Sequence, residues 1–330
     1  MRAAPGLFPF TMSKLRANIG ELLRTGYRTR PGCRSRLESV NGWSISDLPD
    51  QSGRTIIVTG ANSGLGAVTA RALAGAGAQV IMACRDEVKA RAVANTIGER
   101  AQVRRLDLAD LTSIREFADS VERADVLINN AGVMALPFKH TADGFEMQVG
   151  TNHLGHFALT GLLLEKISDR VVTLSSGAHL IGRIDLTDLN WEHRRYERWR
   201  AYGQSKLANL MFARELQRRL TTASSPKISV AAHPGYAATD LQSHTESLLD
   251  PVMTLGNRLL AQSAEMGALP TLYAATTDVE RGGFYGPTGL GGLRGYPGPS
   301  GSSAASKDEV TARRLWDLSE QLTKVSYRFH

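Results

Sequence analysis

Tyr202-Gly203-Gln204-Ser205-Lys206 sets a phenol and an ammonium at positions i and i+4, so on a helix both side chains share one face. A free tyrosine has a pKa of about 10 and is a poor base near neutrality; lowering it by roughly three units requires about 4 kcal/mol of preference for the phenolate. A lysine charge at ~4 Å supplies about that much at an effective dielectric near 20. The pair therefore suits a site that hands a proton to an oxygen or removes one. Tyr-x-x-x-Lys is also a common string, and its bland reading is a solvated pair on an ordinary helix. Upstream, Val171-Val172-Thr173-Leu174-Ser175-Ser176 reads as a buried strand ending in two hydroxyls.

A second string, Thr59-Gly60-Ala61-Asn62-Ser63-Gly64-Leu65-Gly66, lies between an apolar run and a helical stretch. Glycines there let the backbone turn tightly and approach a pyrophosphate seated at the positive end of a helix. The spacing is Gly-x-x-x-Gly-x-Gly, not the Gly-x-Gly-x-x-Gly of the commoner dinucleotide fold. By itself such a cluster marks any strand-to-helix turn.

The elements that must position these residues alternate regularly from Arg54 onward. Short apolar runs at 55–58, 79–83, 102–106, 126–128, 171–174 and 228–232 read as buried strands, and helical stretches such as 67–76, 111–121 and 206–220 fall between them. Continuous Val/Ile/Leu strands separated by helices imply a parallel sheet covered on both faces. Right-handed crossovers wind it into a doubly wound, Rossmann-type α/β/α sandwich. No second core pattern or linker divides the body, so residues 41–330 form a single domain. A flap is predicted at about 239–262, ending where Ser263-Ala264-Glu265 starts a helix; a Gly/Pro-rich loop is predicted at about 286–306, and a last helix at about 307–323.

With the strings placed on these elements, the chain resembles the short-chain dehydrogenase/reductase family through nearly all of residues 53–285. Asn129-Asn130-Ala131-Gly132 resembles the family segment that lies along the adenosine side of the cofactor. Asp107, followed by Leu108, matches the position that meets the adenine ring. Pro234-Gly235, with Thr239 four residues on, resembles the segment bordering the nicotinamide. The resemblance implies that Gly60, Asn62, Ser63, Gly64, Leu65, Gly66, Asp107, Leu108, Asn130, Ala131, Gly132, Pro234, Gly235 and Thr239 bind the dinucleotide, together with Tyr202 and Lys206. It also implies a catalytic tetrad of Asn152, Ser176, Tyr202 and Lys206. Ser176 polarises the substrate, Tyr202 is the general acid or base, Lys206 holds the ribose hydroxyls, and Asn152 orders a relay water. Members that prefer NAD place a carboxylate at the tip of the second strand, where this chain has Cys84. The next residue, Arg85, suits a 2′-phosphate through its planar fork of donors. The expected cofactor is thus NADP(H), with NAD(H) as the alternative; Asp86 is left either to contact the ribose or to cap a helix.

Ala131-Gly132-Val133-Met134, Ser175-Ser176-Gly177-Ala178-His179 and the stretch from Ala201 to Asn209 look like the retinol dehydrogenase and protochlorophyllide reductase branch of the family, which implies a bulky apolar alcohol or carbonyl substrate. Trp191, Tyr196 and Trp199 are expected to crowd the approach to Tyr202, with Leu248, Leu249, Val252, Met253 and Leu255 in the flap; packing against the body is the competing reading. Two rivals stay open: a C=C reductase on the same scaffold, and a non-enzymatic NADP-binding sensor.

Composition narrows the remainder. Hydrophobic residues at 42% suffice for a core, and no run approaches the ~18 consecutive apolar residues of a membrane span. Cys33 and Cys84 are too few for a disulfide framework, and His153 and His156 lack partners at metal-ligand spacing, so no metal is expected. Six of the chain's seven net positive charges fall in residues 1–39. Residues 1–40 are therefore read as a basic extension, disordered or untranslated, with a membrane-surface or targeting helix around Leu15, Ile19, Leu22 and Leu23 as the alternative. The nearly neutral body gives no support to nucleic-acid binding. A cytoplasmic location with optional peripheral membrane contact, and a homodimer or homotetramer, complete the expectations.

Overall fold

Residues 42–235 and 262–329 are described by the structure, a computed structural model. The basic extension, nearly all of the expected flap and Thr239 lie outside the described residues. Among the described residues, eight strands form one sheet: β1 (Thr55–Thr59), β2 (Gln79–Cys84), β3 (Ala101–Arg105), β4 (Ala124–Asn129), β5 (Ile167–Leu174), β6 (Ile228–Ala232), β7 (Phe284–Gly289) and β8 (Arg294–Pro299). Their order is β3-β2-β1-β4-β5-β6-β7-β8, with every pairing parallel except the last. The chain winds outward in one direction through β1, β2 and β3, then returns to the other side of β1. The strand order thus reverses between β1 and β4, where open α/β sheets hold ligands beyond their strand ends.

Strand residues alternate between two cores. Ile56, Val58, Val80, Met82, Ile128 and Val172 meet α1 (Gly64–Gly75), α2 (Glu87–Ile97) and α6 (Ala264–Thr276) on one face. Ile57, Ile81, Leu127 and Val171 meet α3 (Leu111–Ser120), α4 (Gly155–Leu163) and α5 (Arg198–Thr222) on the other. Trp316, from α7 (Glu309–Thr323), closes the second face against Phe157 and Phe212. This period-2 division is what a sheet buried on both faces requires. Helix starts follow local chemistry: Asp86, Asp110, Ser263 and Asp308 each accept a backbone N–H at an N-cap.

The expected loop at 286–306 is corrected. Phe284–Gly289 and Arg294–Pro299 form an antiparallel hairpin at the sheet's edge, pairing Gly286 with Gly298 and Pro287 with Pro297. Pro297 and Pro299 are tolerated because β8 is the edge strand among the described residues, and Pro287 because β6 pairs with β7 only at Phe284 and Tyr285. Gly286 is required for a different reason: a Cβ would lie 1.8 Å from the His233 ring. The composition that reads as loop here serves an edge and a close approach.

Candidate active site

The glycine string leaves β1 in conformations that side chains resist. Gly60 and Gly64 have φ of +65° and +51°. A Cβ on Gly66 would lie 2.3 Å from the Gly60 carbonyl oxygen and 2.6 Å from Asn130 Nδ2. Ser63 occupies the N-cap of α1 without a side-chain capping bond, which leaves the first-turn N–H groups available to an anion at the positive helix end. Asn130 ties the loop down, its Nδ2 donating to the Thr59 carbonyl at 2.8 Å. A dinucleotide pyrophosphate fits this cradle.

Around it, the sequence-predicted ligands divide. Cys84 is buried beneath the loop, accepts from the Ala61 and Asn62 amides, and has its thiol pushed up to about 12 by burial. Asp86 caps α2 through Lys89 N at 3.0 Å and pairs with Lys89 Nζ at 3.5 Å, so of its two expected roles the structure gives it the cap. Arg85 is exposed at the tip of β2 and makes no ion pair among the described residues. Asp107 Oδ1 accepts from Ala109 N at 3.0 Å. Leu108 packs its carbonyl where a Cβ on Gly155 would sit at 2.4 Å, so it joins the end of β3 to α4. Pro234 and Gly235 follow β6; the Pro234 carbonyl accepts from Gln262 Nε2 at 2.7 Å, and Gly235 has a φ of +67°.

The two hydroxyls at the end of β5 do different things. Ser175 Oγ donates to the Lys206 carbonyl at 2.8 Å, so it braces α5. Ser176 Oγ accepts from Ala178 N at 3.2 Å at the start of a short turn and bonds the Tyr202 hydroxyl. One helical turn past Tyr202, Lys206 Nζ lies 5.7 Å from the phenol ring centroid and donates to the Leu174 carbonyl at 3.4 Å. Gly132 leaves the space between: a Cβ there would sit 3.1 Å from Asn152 Oδ1 and 3.3 Å from Lys206 Nζ.

Asn152 stands in a π-helical segment, Gly150–Leu154, that leads into α4; such widened turns recur at functional sites. Its amide is fully engaged. Oδ1 accepts from Val133 N at 2.7 Å, while Nδ2 donates to the Val133 carbonyl and Ser205 Oγ, both at 2.9 Å. The side chain thus latches the segment after β4 to α5, with both amide hydrogens committed.

Electrostatics depart from the expectation that Lys206 draws Tyr202 toward neutrality. Burial pushes Tyr202 up to about 12, opposed by the Ser176 bond, and burial brings Lys206 down to about 8. Desolvation disfavours both charged forms. Tyr202 is therefore a phenol at neutral pH in this structure.

The aromatic trio also splits. Trp199 stays 42% exposed, its ring edge-on to Tyr202 at 6.3 Å. Trp191 is buried beneath Arg194, whose guanidinium lies 3.7 Å from its ring centroid. Tyr196 turns inward to the Leu136 carbonyl and buried Glu146. For these two the packing reading holds. Among the described residues no cluster of three His, Cys, Asp or Glu could hold a metal, and no helix is long and apolar enough to cross a membrane. Motif reading assigns no role to three buried histidines that contact the site segments: His156, His179 and His233. Their signal is chemical, since a polar ring inside an apolar stretch such as Asn152-His153-Leu154-Gly155-His156-Phe157 must be hydrogen-bonded.

Comparison with known proteins gives the family. Residues 54–248 match the family model for short chain dehydrogenases. Human retinol dehydrogenase 13 is 45% identical over 304 residues, 86% of this chain and 88% of its own length. Among solved structures, an uncharacterised protein from Mycobacterium paratuberculosis is 55% identical, covers 87% of this chain and 100% of its own, and superposes with a TM-score of 0.78. A Beutenbergia cavernae protein described as an NAD(P)-dependent gluconate 5-dehydrogenase, with NADP at low occupancy, is 26% identical. It covers 69% of this chain and 91% of its own, with a TM-score of 0.55. The chain belongs to the short-chain dehydrogenase/reductase family, in its retinol dehydrogenase branch, and is an oxidoreductase that acts on CH–OH groups with a nicotinamide dinucleotide.

Proposed function

We propose that the enzyme interconverts an alcohol and a carbonyl on a bulky apolar small molecule of retinoid, steroid or lipid type, with NADP(H) preferred over NAD(H). The observation that carries this reading is the contact of Ser176 with Tyr202, with Lys206 one turn away, at the same edge of the sheet as the glycine cradle. When bound, the dinucleotide supplies or accepts the hydride at its nicotinamide C4. Ser176 Oγ and the Tyr202 hydroxyl donate hydrogen bonds to the carbonyl oxygen, where negative charge develops during reduction. Tyr202 gives up its phenolic proton there, and takes one from the alcohol in the reverse direction. A phenol held well above neutrality is ready as the acid. Lys206 favours the phenolate left behind and returns a proton to it; Asn152 orders the water that resupplies Lys206.

Arg85 supports the preference for NADP(H), being an exposed guanidinium without an ion-pair partner among the described residues at the strand tip where Cys84 offers no carboxylate. Trp199 supports an apolar substrate, as do Leu180 just past Ser176 and Leu293 beside Gly235, both substantially exposed. The name of its human relative at 45% identity points toward a retinoid. The test is a panel of retinoid, steroid, lipid and enone substrates with NADPH and NADH, run on the wild type and Tyr202→Phe. NADPH-dependent turnover of an apolar carbonyl that the Phe variant loses supports the reading. Full turnover by the variant, or reduction confined to the enone C=C bond, overturns it.

A further inference from the structure

We propose that His156 is a positioning residue for the reaction, joining Thr59 at the head of the glycine loop to the main-chain carbonyl of Asn152. It rests on the reading of Asn152 as part of the proton relay. His156 Nδ1 lies 2.9 Å from the Asn152 carbonyl oxygen, and Nε2 lies 3.0 Å from Thr59 Oγ1. A carbonyl only accepts, so Nδ1 carries the proton and Nε2 must accept from the Thr59 hydroxyl. The alternative acceptor for that hydroxyl, the Ile128 carbonyl, is farther away at 3.4 Å. Thr59 Oγ1 in turn accepts from the Asn130 and Ala131 amides, both at 2.9 Å. The result is one directed chain: two amides of the segment after β4, the Thr59 hydroxyl, the His156 ring and the Asn152 carbonyl. Each donor–acceptor step in such a buried chain strengthens the next.

The ring is neutral throughout. It is fully buried, and Lys206 and His153 are the charged or titratable groups that face it; burial brings it down to about 3. Two facts explain why a histidine stands here. The Asn152 carbonyl lies in the widened turn at Gly150–Leu154, and the i+4 side chain places a ring N–H on it. The Asn152 amide, already closed on Val133 and Ser205, leaves the carbonyl as the atom whose direction matters.

Histidine-selective ¹⁵N NMR on the wild-type protein tests the assignment without altering it. A neutral Nδ1–H tautomer for His156 is expected, and an Nε2–H tautomer overturns the proposal. Kinetics supply the second arm. His156→Asn keeps a nitrogen near Nδ1, His156→Gln keeps one near Nε2, and His156→Phe keeps neither. His156→Phe and His156→Gln should lose kcat by about tenfold to a hundredfold, as small misplacements in active sites do. KM for NADP(H) should stay within about twofold, and His156→Asn should recover most of the loss. Equal losses in the Asn and Gln variants, or a loss carried by KM for NADP(H), overturn it. A failure of the proposed reaction appears separately, as full turnover by Tyr202→Phe with the His156 tautomer unchanged.

Discussion

Replacing Lys206 by methionine removes a buried cation while keeping most of its volume. The ammonium lies 5.7 Å from the Tyr202 ring centroid. At an effective dielectric near 20, a cation about 6 Å from the phenolate oxygen is worth about 3 kcal/mol in its favour, or roughly two pKa units. Alcohol oxidation needs the phenolate, and Tyr202 stands near 12, so the rate rises with pH across the whole accessible range. On that limb a two-unit shift is read as a vertical displacement: kcat/KM for oxidation by Lys206→Met should be about a hundredfold below wild type at pH 7. The gap should not be constant. Lys206 itself loses its proton near pH 8, so the wild-type advantage shrinks above that point. With about a tenth of Lys206 charged at pH 9, the gap narrows to about tenfold. The assay is a pH series of kcat/KM for an alcohol at saturating dinucleotide, with Lys206→Arg as the charge-preserving control. A gap that stays constant from pH 7 to 9, or an arginine variant as slow as the methionine one, would refute the electrostatic role.

Gly66→Ala places a Cβ against backbone at 2.3 Å, so the cradle must open; NADPH affinity should fall by about a hundredfold or more by fluorescence titration, and unchanged binding would mean the dinucleotide lies elsewhere. Arg85→Ala should raise KM for NADPH about tenfold to thirtyfold with little change for NADH, the lower range of a charge-assisted contact because the side chain is exposed; equal effects on both cofactors would count against the 2′-phosphate contact. Burial brings His153 down to about 4, and His156 and His233 to about 3, whereas the unfolded chain binds these protons near 6.5. Stability is therefore full above pH 6.5 and lost as pH falls toward the folded values, by roughly 4 kcal/mol per pH unit for three groups. Circular dichroism should show unfolding near pH 5, and a native signal persisting to pH 4 would contradict buried neutral rings.

Most of the parallel strands were legible because they hold continuous apolar runs bounded by polar or glycine residues; β3, with Gln102, Arg104 and Arg105, has no buried residue. Ile228–Ala232 emerges with the bounds its sequence implies, and β1 and β2 differ by one residue. The helix carrying Tyr202 and Lys206 was harder. It begins at Arg198, and from Ala201 to Ala213 it is buried on all sides, so no apolar stripe marks its face. The β7–β8 hairpin was illegible for the opposite reason, since its glycines and prolines answer an edge and a ring contact that composition cannot display. In the site, Ser176, Tyr202 and Lys206 were readable as local strings at element ends. The Asn152 latch to Val133 and Ser205 was not, because it joins three segments far apart in sequence.

The histidines show why such cross-links matter here. The segments after β1, β5 and β6 are irregular backbone packed together, and their polar groups need partners away from water. An imidazole offers one donor and one acceptor on opposite sides of a rigid ring, so it can bridge two such segments. His179 Nδ1 faces the Ser176 carbonyl at 2.7 Å and must donate; its Nε2 then accepts from Ser303 N at 3.3 Å. His233 has the reverse assignment, its Nδ1 accepting from Gly235 N at 3.2 Å while Nε2 donates to Ser300 Oγ at 2.8 Å. A second proton on either ring would confront a backbone N–H, so neighbours as well as burial hold both neutral. Ser300 and Ser303 belong to the stretch just past β8. The edge hairpin, which looks dispensable to a parallel sheet, therefore anchors Ser176 from one side and the Pro234–Gly235 segment from the other, and the site depends on the chain's last antiparallel turn as much as on its first glycine loop.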